Sequence, residues 1–345
     1  MTTLTRAEEE RAEAIHREAV VFLSHWDILL LDIYPRRRSG ETHVTKKRHI
    51  NRMKEGGVTA AVVTTGCDLP GAQSLRSVLQ NVDAMNLELD ESDGEIVVAT
   101  SAKDVAEAKK NDRAAFVLGI EGGRPLEGDL ALLRTFQRLG LRCIGFTWNY
   151  RNELGDGVGE GRRVGLSDFG VRVVEEMNRL RMVIDLSHAS KLTFTQALEC
   201  SKDPVIASHS NAMALWNHRR NLDDEQIHAI AEKGGVIGIN FWPDFLGSNP
   251  TVEDILNHID YISDLVGVDH VGLGPDYVES EEEKSYMDYL AEGRSPRQPF
   301  PSGIEDITKL KNVTRGLVSR GYSNPEIKKI LGENLLRVFR EVIGE

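Results

Sequence analysis

Eight short apolar runs, separated by polar amphipathic stretches, leave this chain few ways to fold. They cover residues 20–27, 58–65, 114–121, 142–148, 182–188, 204–209, 235–242 and 270–276. The segments between them, 44–56, 72–88 with 102–111, 128–139, 167–180, 190–201, 222–233 and 251–266, carry helical spacing. Strand-like runs alternating with helical patterns build βαβ units and therefore a parallel sheet. Eight of them predict a closed (β/α)8 TIM barrel, with an open doubly wound sheet as the alternative. Ser167 is placed to cap SDFGVRVVEEMNRL, Asn221 or Asp223 to cap DDEQIHAIAEKGG, and Ser323-Asn324-Pro325 to open EIKKILGENLLRVFREVI. The last helices are expected to pack outside the barrel.

No repeat, low-complexity tract or long linker divides the chain, so residues 1–345 are expected to form one domain. Residues 277–302, acidic and then rich in Pro, Ser and Arg, follow the eighth run directly. A loop this long is expected to be functional or disordered, and its place after the eighth run puts it at the rim of the barrel mouth.

The net charge of −12 argues against nucleic acid or an anionic membrane as a main partner. Three cysteines, Cys67, Cys143 and Cys200, make no disulfide framework and fit a reducing compartment. Cys143 is expected to be a small buried residue. The polar N-terminus has no signal-peptide pattern, and no run reaches the ~18 apolar residues of a membrane span. The expectation is a cytoplasmic protein acting on a small molecule; a homo-oligomer is compatible with the sequence.

The chemistry sits at the ends of the runs. FLSHWD ends on His25 and Asp27, FVLGIEGG carries Glu121, MVIDLSH ends on His188, VIASHS on His209 and VGLGPD on Asp276. A parallel barrel gathers the C-terminal ends of its strands at one rim, so residues far apart in sequence meet there. His25 and Asp27, at i and i+2 of a strand, point the same way. His188 and His209 lie one strand-plus-helix unit apart, which puts them on adjacent strands. A carboxylate such as Glu121 at the end of a buried strand is costly unless paired or coordinated. Asp276 can serve as acid, base or further ligand, and Asp185 as a supporting partner. Imidazole and carboxylate without thiolate suit Zn²⁺, with Mn²⁺, Fe²⁺ or Co²⁺ as alternatives, and a shared Glu121 would bridge two ions. Trp216, Trp242 and Tyr277 follow strand ends and are candidate pocket walls, Trp242 foremost. GDGVGEG at 155–161 lacks the helix and Lys-Ser/Thr of a phosphate loop and is expected at the rim. His43 and His49 flank a basic segment and are expected to be solvated. No GxSxG elbow occurs.

Taken in order, SHWD, GIEGG, GFTWNYRNELGDG, GLSDFGVRVVEEMNRLRMVIDLSHAS, PVIASHSNA, HRRNLDDEQI, GVIGINFW, DHVGLGPD and ILGENLLRVF resemble the membrane (renal) dipeptidase family of the amidohydrolase-like barrels. The resemblance spans nearly the whole chain from residue 20. It implies that His25, Asp27 and Glu121 hold one Zn²⁺ and that Glu121, His188 and His209 hold a second. In such enzymes a hydroxide bridging the ions attacks the amide carbonyl. It further implies that Asp276 carries the proton to the leaving amine and that Arg220 grips the substrate carboxylate, for which its guanidinium fork is suited. This chain departs from the family pattern in three places. Leu23-Ser24 replace the Asp-Gly of DGHxD, Trp148 stands where the renal-type enzyme has a carbonyl-polarising histidine, and GPDYVES replaces GSDFDG. The departures spare the metals and touch the substrate. A binuclear zinc dipeptidase is therefore expected, with a related amide, lactam or ester hydrolase, or a catalytically silent metal-binding barrel, as alternatives.

Overall fold

The computed structural model describes residues 4–69, 73–278, 283–285, 288 and 298–345. Its strands are β1 (Val21–Trp26), β2 (Val58–Cys67), β3 (Ile96–Val98), β4 (Ala114–Glu121), β5 (Leu141–Gly145), β6 (Val183–Asp185), β7 (Ile206–Ala207), β8 (Val236–Ile239) and β9 (Val271–Leu273). Every pairing is parallel. Eight strands close in the order β1-β2-β4-β5-β6-β7-β8-β9 and back to β1, the expected barrel. β3 stays outside that ring and pairs with β4 alone. Its Ile-Val-Val run was not anticipated from the sequence.

The period of two decides which side chains fill the barrel. Phe22, Ala60, Val62, Ala115, Val117, Cys143, Val183, Ile206 and Val236 form one packed cluster, contributed by different strands. Their neighbours Leu23, Ala61, Val63, Phe116, Leu118, Ile144, Ile184 and Ile237 join the larger core under the outer helices. Caps fall where the sequence marks them. Ser167 accepts from the Gly170 amide, and Ser323 forms a capping box with Glu326. Asp223 rather than Asn221 caps the helix Asp224–Glu232, in a box with Gln226.

The last helix corrects an expectation. Asn334–Ile343 does not pack outside the barrel: Leu335, Leu336, Val338, Phe339 and Val342 belong to the same cluster as the barrel interior. The Phe339 ring lies 5.1 Å from Phe22. Gly332 brings the chain against the start of β1, where a Cβ would lie 2.3 Å from the Val20 carbonyl oxygen. The helix thus plugs the N-terminal mouth, because the short strands leave apolar side chains there that need covering. Phe339→Ala is expected to lower the unfolding free energy by about 3 kcal/mol, measured by chemical denaturation. A loss under about 1 kcal/mol would mean the plug is not part of the core.

His49 is a second correction. It is buried, its Nε2 lies 2.7 Å from Asp32 Oδ2, and its ring meets Trp26 edge-on at 6.2 Å. Its burial with Ile50 and Met53 follows helical spacing inside a segment whose basic residues suggested solvent. His43 is exposed, as expected. Of the anticipated rim loop, only 277–278, 283–285, 288 and 298–302 lie within the described residues. Tyr277 is buried there, donating its hydroxyl to the Ile304 carbonyl at 2.9 Å, so it packs the rim. Among the described residues, no helix is long and apolar enough to cross a membrane.

Candidate metal centre

All six strand-end residues gather at the C-terminal mouth of the barrel and are buried. His25 lies in β1 and Asp27 just past it, while Glu121 is the last residue of β4. His188, His209 and Asp276 sit two or three residues beyond β6, β7 and β9, which are shorter than the apolar runs suggested. His188 and Asp276 hold left-handed backbone, φ 64° and 58°. Non-glycine residues adopt it at a cost, and such strain concentrates at functional sites.

Three overlapping clusters of ligand atoms result, each with its atoms within 4.8 Å of one another: His25, Asp27 and Glu121; Glu121, His188 and His209; and His25, His209 and Asp276. Glu121 is shared by the first two, as the sequence suggested. Its Oε1 lies 2.9 Å from His188 Nε2, 3.3 Å from His209 Nε2 and 3.9 Å from His25 Nε2. His25 Nε2 is also 3.4 Å from Asp27 Oδ1 and 3.6 Å from Asp276 Oδ1. Yet His25 Nε2 and Asp27 Oδ1 are buried and hydrogen-bonded to nothing.

The supporting bonds set the histidine tautomers. Ser208 Oγ donates to Asp185 Oδ2 at 2.5 Å, so at the 2.7 Å contact it can only accept from His209 Nδ1–H. Asp185, which also accepts the Ser187 and Ser208 amides, takes the supporting place expected of it. His188 Nδ1 faces Asn149 Oδ1 at 3.1 Å. Both imidazoles therefore turn unprotonated Nε2 atoms toward Glu121, and those two nitrogens stand 2.9 Å apart. Burial, with Arg220 and His25 nearby, holds both far below the usual histidine range. Burial raises Glu121 well above the carboxylate range, aided by Asp27 and Asp276. For His25 burial works the other way but is overcome by Asp27, Glu121 and Asp276, which push it up to about 10. Lone pairs converging in a buried pocket repel unless a cation lies among them, so this donor set fits divalent metal. Ser208→Ala is expected to weaken metal binding about 10- to 100-fold, read by metal titration. An unchanged affinity would assign Ser208 to packing.

Arg220 is buried beside this cluster. Its guanidinium lies 5.4 Å over the Phe245 ring and donates to the His209 carbonyl at 3.2 Å, while Nε has no partner. Burial lowers its pKa to about 10 despite the attraction of Asp276 and Glu121. Trp242 is buried and stacks on Phe245 at 6.0 Å, in the same wall as Arg220. Trp148 is half-buried, with its ring 6.3 Å from His188. Trp216 is partly exposed, its indole N–H bonded to the Asp244 carbonyl. The glycine-rich stretch 155–161 lies over the site, where the Val158 amide donates to the His188 carbonyl.

Besides Ser208, four residues were not singled out as functional from sequence. Asn240 Nδ2 donates to Asp276 Oδ2 at 3.1 Å and orients it. Ser24 Oγ reaches the Ser208 and Leu273 carbonyls at 2.5 and 3.0 Å and ties β1 to the chain around β7 and β9 beneath His25. Asn149 faces His188. Asp68 accepts from the Arg124 and Trp148 amides and from Asn152, joining three rim loops. Asp68 follows β2, which runs two residues beyond its predicted end. The strand-end carboxylate rule would have found it.

A family model for membrane dipeptidase (peptidase family M19) matches residues 9–344. Similar proteins include the dipeptidase tcpJ of Claviceps purpurea, 32% identical, covering 78% of this chain and 60% of that protein. An uncharacterized dipeptidase of Schizosaccharomyces pombe is 33% identical, covering 77% and 62%. This chain spans about three fifths of the length of the curated relatives it matches. A crystal structure of an amidohydrolase from Pseudomonas aeruginosa superposes with a TM-score of 0.84 at 26% identity, covering 97% of this chain and 99% of that one. A metallopeptidase from Rhodobacter sphaeroides, liganded with a phosphinate mimic of the dipeptide L-Ala-D-Ala, gives 0.82 at 26%, covering 94% and 100%.

Proposed function

The chain belongs to the membrane dipeptidase family, and from that premise we propose that it hydrolyses dipeptides or dipeptide-like amides with two Zn²⁺ ions. The observation that carries this reading is the pair of donor triads sharing Glu121. His25, Asp27 and Glu121 would hold one ion; Glu121, His188 and His209 would hold the other. When bound, the ions supply a polarised amide carbonyl and an acidified water.

The protein's own groups do the rest. Arg220, buried with its Nε unpartnered, offers a charge-assisted bond to the carboxylate of a short substrate. Trp242 and Phe245 back it with an apolar wall that excludes water. Asp276, held by Asn240, takes a proton from the attacking water at Oδ1 and returns it to the leaving amine. Trp148, with only an indole N–H to offer, shapes the opposite side of the pocket. Three unpaired cysteines support a reducing, cytoplasmic setting.

The decisive experiment loads the protein with zinc and screens L-X–L-X and L-X–D-X dipeptides against N-acyl amino acids, lactams and lactones. The relative that binds an L-Ala-D-Ala mimic makes both stereochemistries necessary. Turnover of dipeptides is expected; turnover of lactams or esters alone would favour the related-hydrolase reading. Arg220→Met is expected to raise KM about 100-fold with a smaller change in kcat, since it removes binding common to ground and transition states. Unchanged kinetics would remove Arg220 from the site.

A further inference from the structure

A cavity of about 490 Å³ lies at the opposite end of the barrel from the metal centre. Its walls come from the starts of β2 and β4 and from the helices Arg6–Glu18, Ile50–Glu55, Ala102–Lys110 and Lys311–Ser319. Its volume falls in the usual range for small-molecule sites. Nothing in the chemistry proposed above uses it.

The lining is cationic in a chain of net charge −12. Arg17, Lys54, Lys109, Arg113 and Lys311 face the cavity against two carboxylates, Glu13 and Asp112. Asp112 is taken by Lys54 at 3.5 Å. Arg17, Lys109, Arg113 and Lys311 have no carboxylate within ion-pair distance among the described residues, and the Lys109 ammonium instead donates to the Arg17 carbonyl at 2.9 Å. His16 adds no charge. Its ring is locked between Thr314 Oγ1 and the Gly56 carbonyl, and burial, with Lys311 and Lys109 nearby, pushes its pKa down to about 4. Burial lowers Lys109 as well, with only Asp112 opposing it. Clustered like charges left uncompensated destabilise a fold unless something offsets them.

A second feature points to a ligand. Thr59, on β2, is buried and lines this cavity, yet its Oγ1 has no hydrogen-bond partner. An unsatisfied buried hydroxyl costs about 1–3 kcal/mol. The remaining wall, from Ile50, Met53, Val58, Ala108 and Ala114, is apolar and buried. We propose that this cavity binds a small, multiply charged organic oxyanion, a phosphomonoester or dicarboxylate. Its charged groups lie among Lys109, Arg113, Lys311 and Arg17, one oxygen accepts from Thr59, and its carbon body rests on the apolar wall.

Binding is measured by calorimetry on the metal-loaded protein with glycerol 3-phosphate, succinate and, as the uncharged control, glycerol. One of the two anions is expected to bind and glycerol not, and which anion wins identifies the ligand class. Arg113→Gln and Lys311→Gln, both at exposed positions, are each expected to weaken binding about tenfold, the loss of one charge-assisted bond. Thr59→Val is expected to weaken it about fivefold while leaving the Tm of the unliganded protein unchanged or higher. Basal dipeptide hydrolysis should not change in these variants. The proposal fails if neither anion binds at millimolar concentration, or if the Arg113→Gln/Lys311→Gln double variant retains full affinity. It fails equally if stripping the metals abolishes binding, which would place the anion at the other mouth.

Discussion

Replacing Glu121 by glutamine is expected to abolish dipeptide hydrolysis by at least about 10³-fold in kcat/KM, on the order of 4 kcal/mol of transition-state stabilisation. The reason is geometric: Glu121 Oε1 lies within 4 Å of three imidazole Nε2 atoms and belongs to both donor triads. On the two-ion reading, a neutral amide in its place would weaken the hold on both ions at once. Stability should move the opposite way. Burial, with Asp27 and Asp276 beside it, raises the Glu121 pKa well above the usual range. Its ionised form is therefore unfavourable in the metal-free fold at neutral pH, and that penalty grows as pH rises above the unfolded carboxyl pKa. Metal-free Glu121→Gln should melt at or above the metal-free wild type, while the Tm gain on adding zinc shrinks. A variant that keeps both its two-ion stoichiometry and its activity would refute the bridging role.

Asp276→Asn is expected to lower kcat about 10²- to 10⁴-fold with little change in KM. Asparagine is nearly isosteric and keeps a hydrogen bond with Asn240, so what is lost is the proton acceptor. Metal content decides between two roles. Asp276 also groups with His25 and His209 as a third donor cluster. Two ions retained in Asp276→Asn, with kcat depressed, support proton transfer. One ion lost would make Asp276 a ligand.

The barrel was legible because each of its eight strands lies in an apolar run between helical patterns, whereas β3, outside the ring, was not anticipated. His25 and Asp27 were readable as a pair because strand period alone aims them together. The same period turns Trp26 away from them, onto His49 in the outer layer, so the bulk of the central residue leaves the pocket open. Ser24 shows the limit. As a letter it is a departure from a glycine; in the fold its hydroxyl pins three chain segments beneath the metal centre. Asp68 and Asn240 act through partners in loops far along the chain, and no local pattern names those partners.

What the sequence determined by itself is therefore local and periodic: which runs become strands, where helices start, and which donor residues end the strands. Those follow from backbone sterics, capping and side-chain alternation, each satisfied within a few residues. Only the tertiary structure decided that a third donor set, His25, His209 and Asp276, overlaps the two that share Glu121, that Ser208 and Asn149 fix the imidazole tautomers, and that the final helix fills the barrel mouth. Those outcomes depend on closure of the ring. Closure brings distant carboxylates and imidazoles within 4 Å of one another at buried positions, where desolvation and their mutual charge interactions, not their place in the chain, set their chemistry.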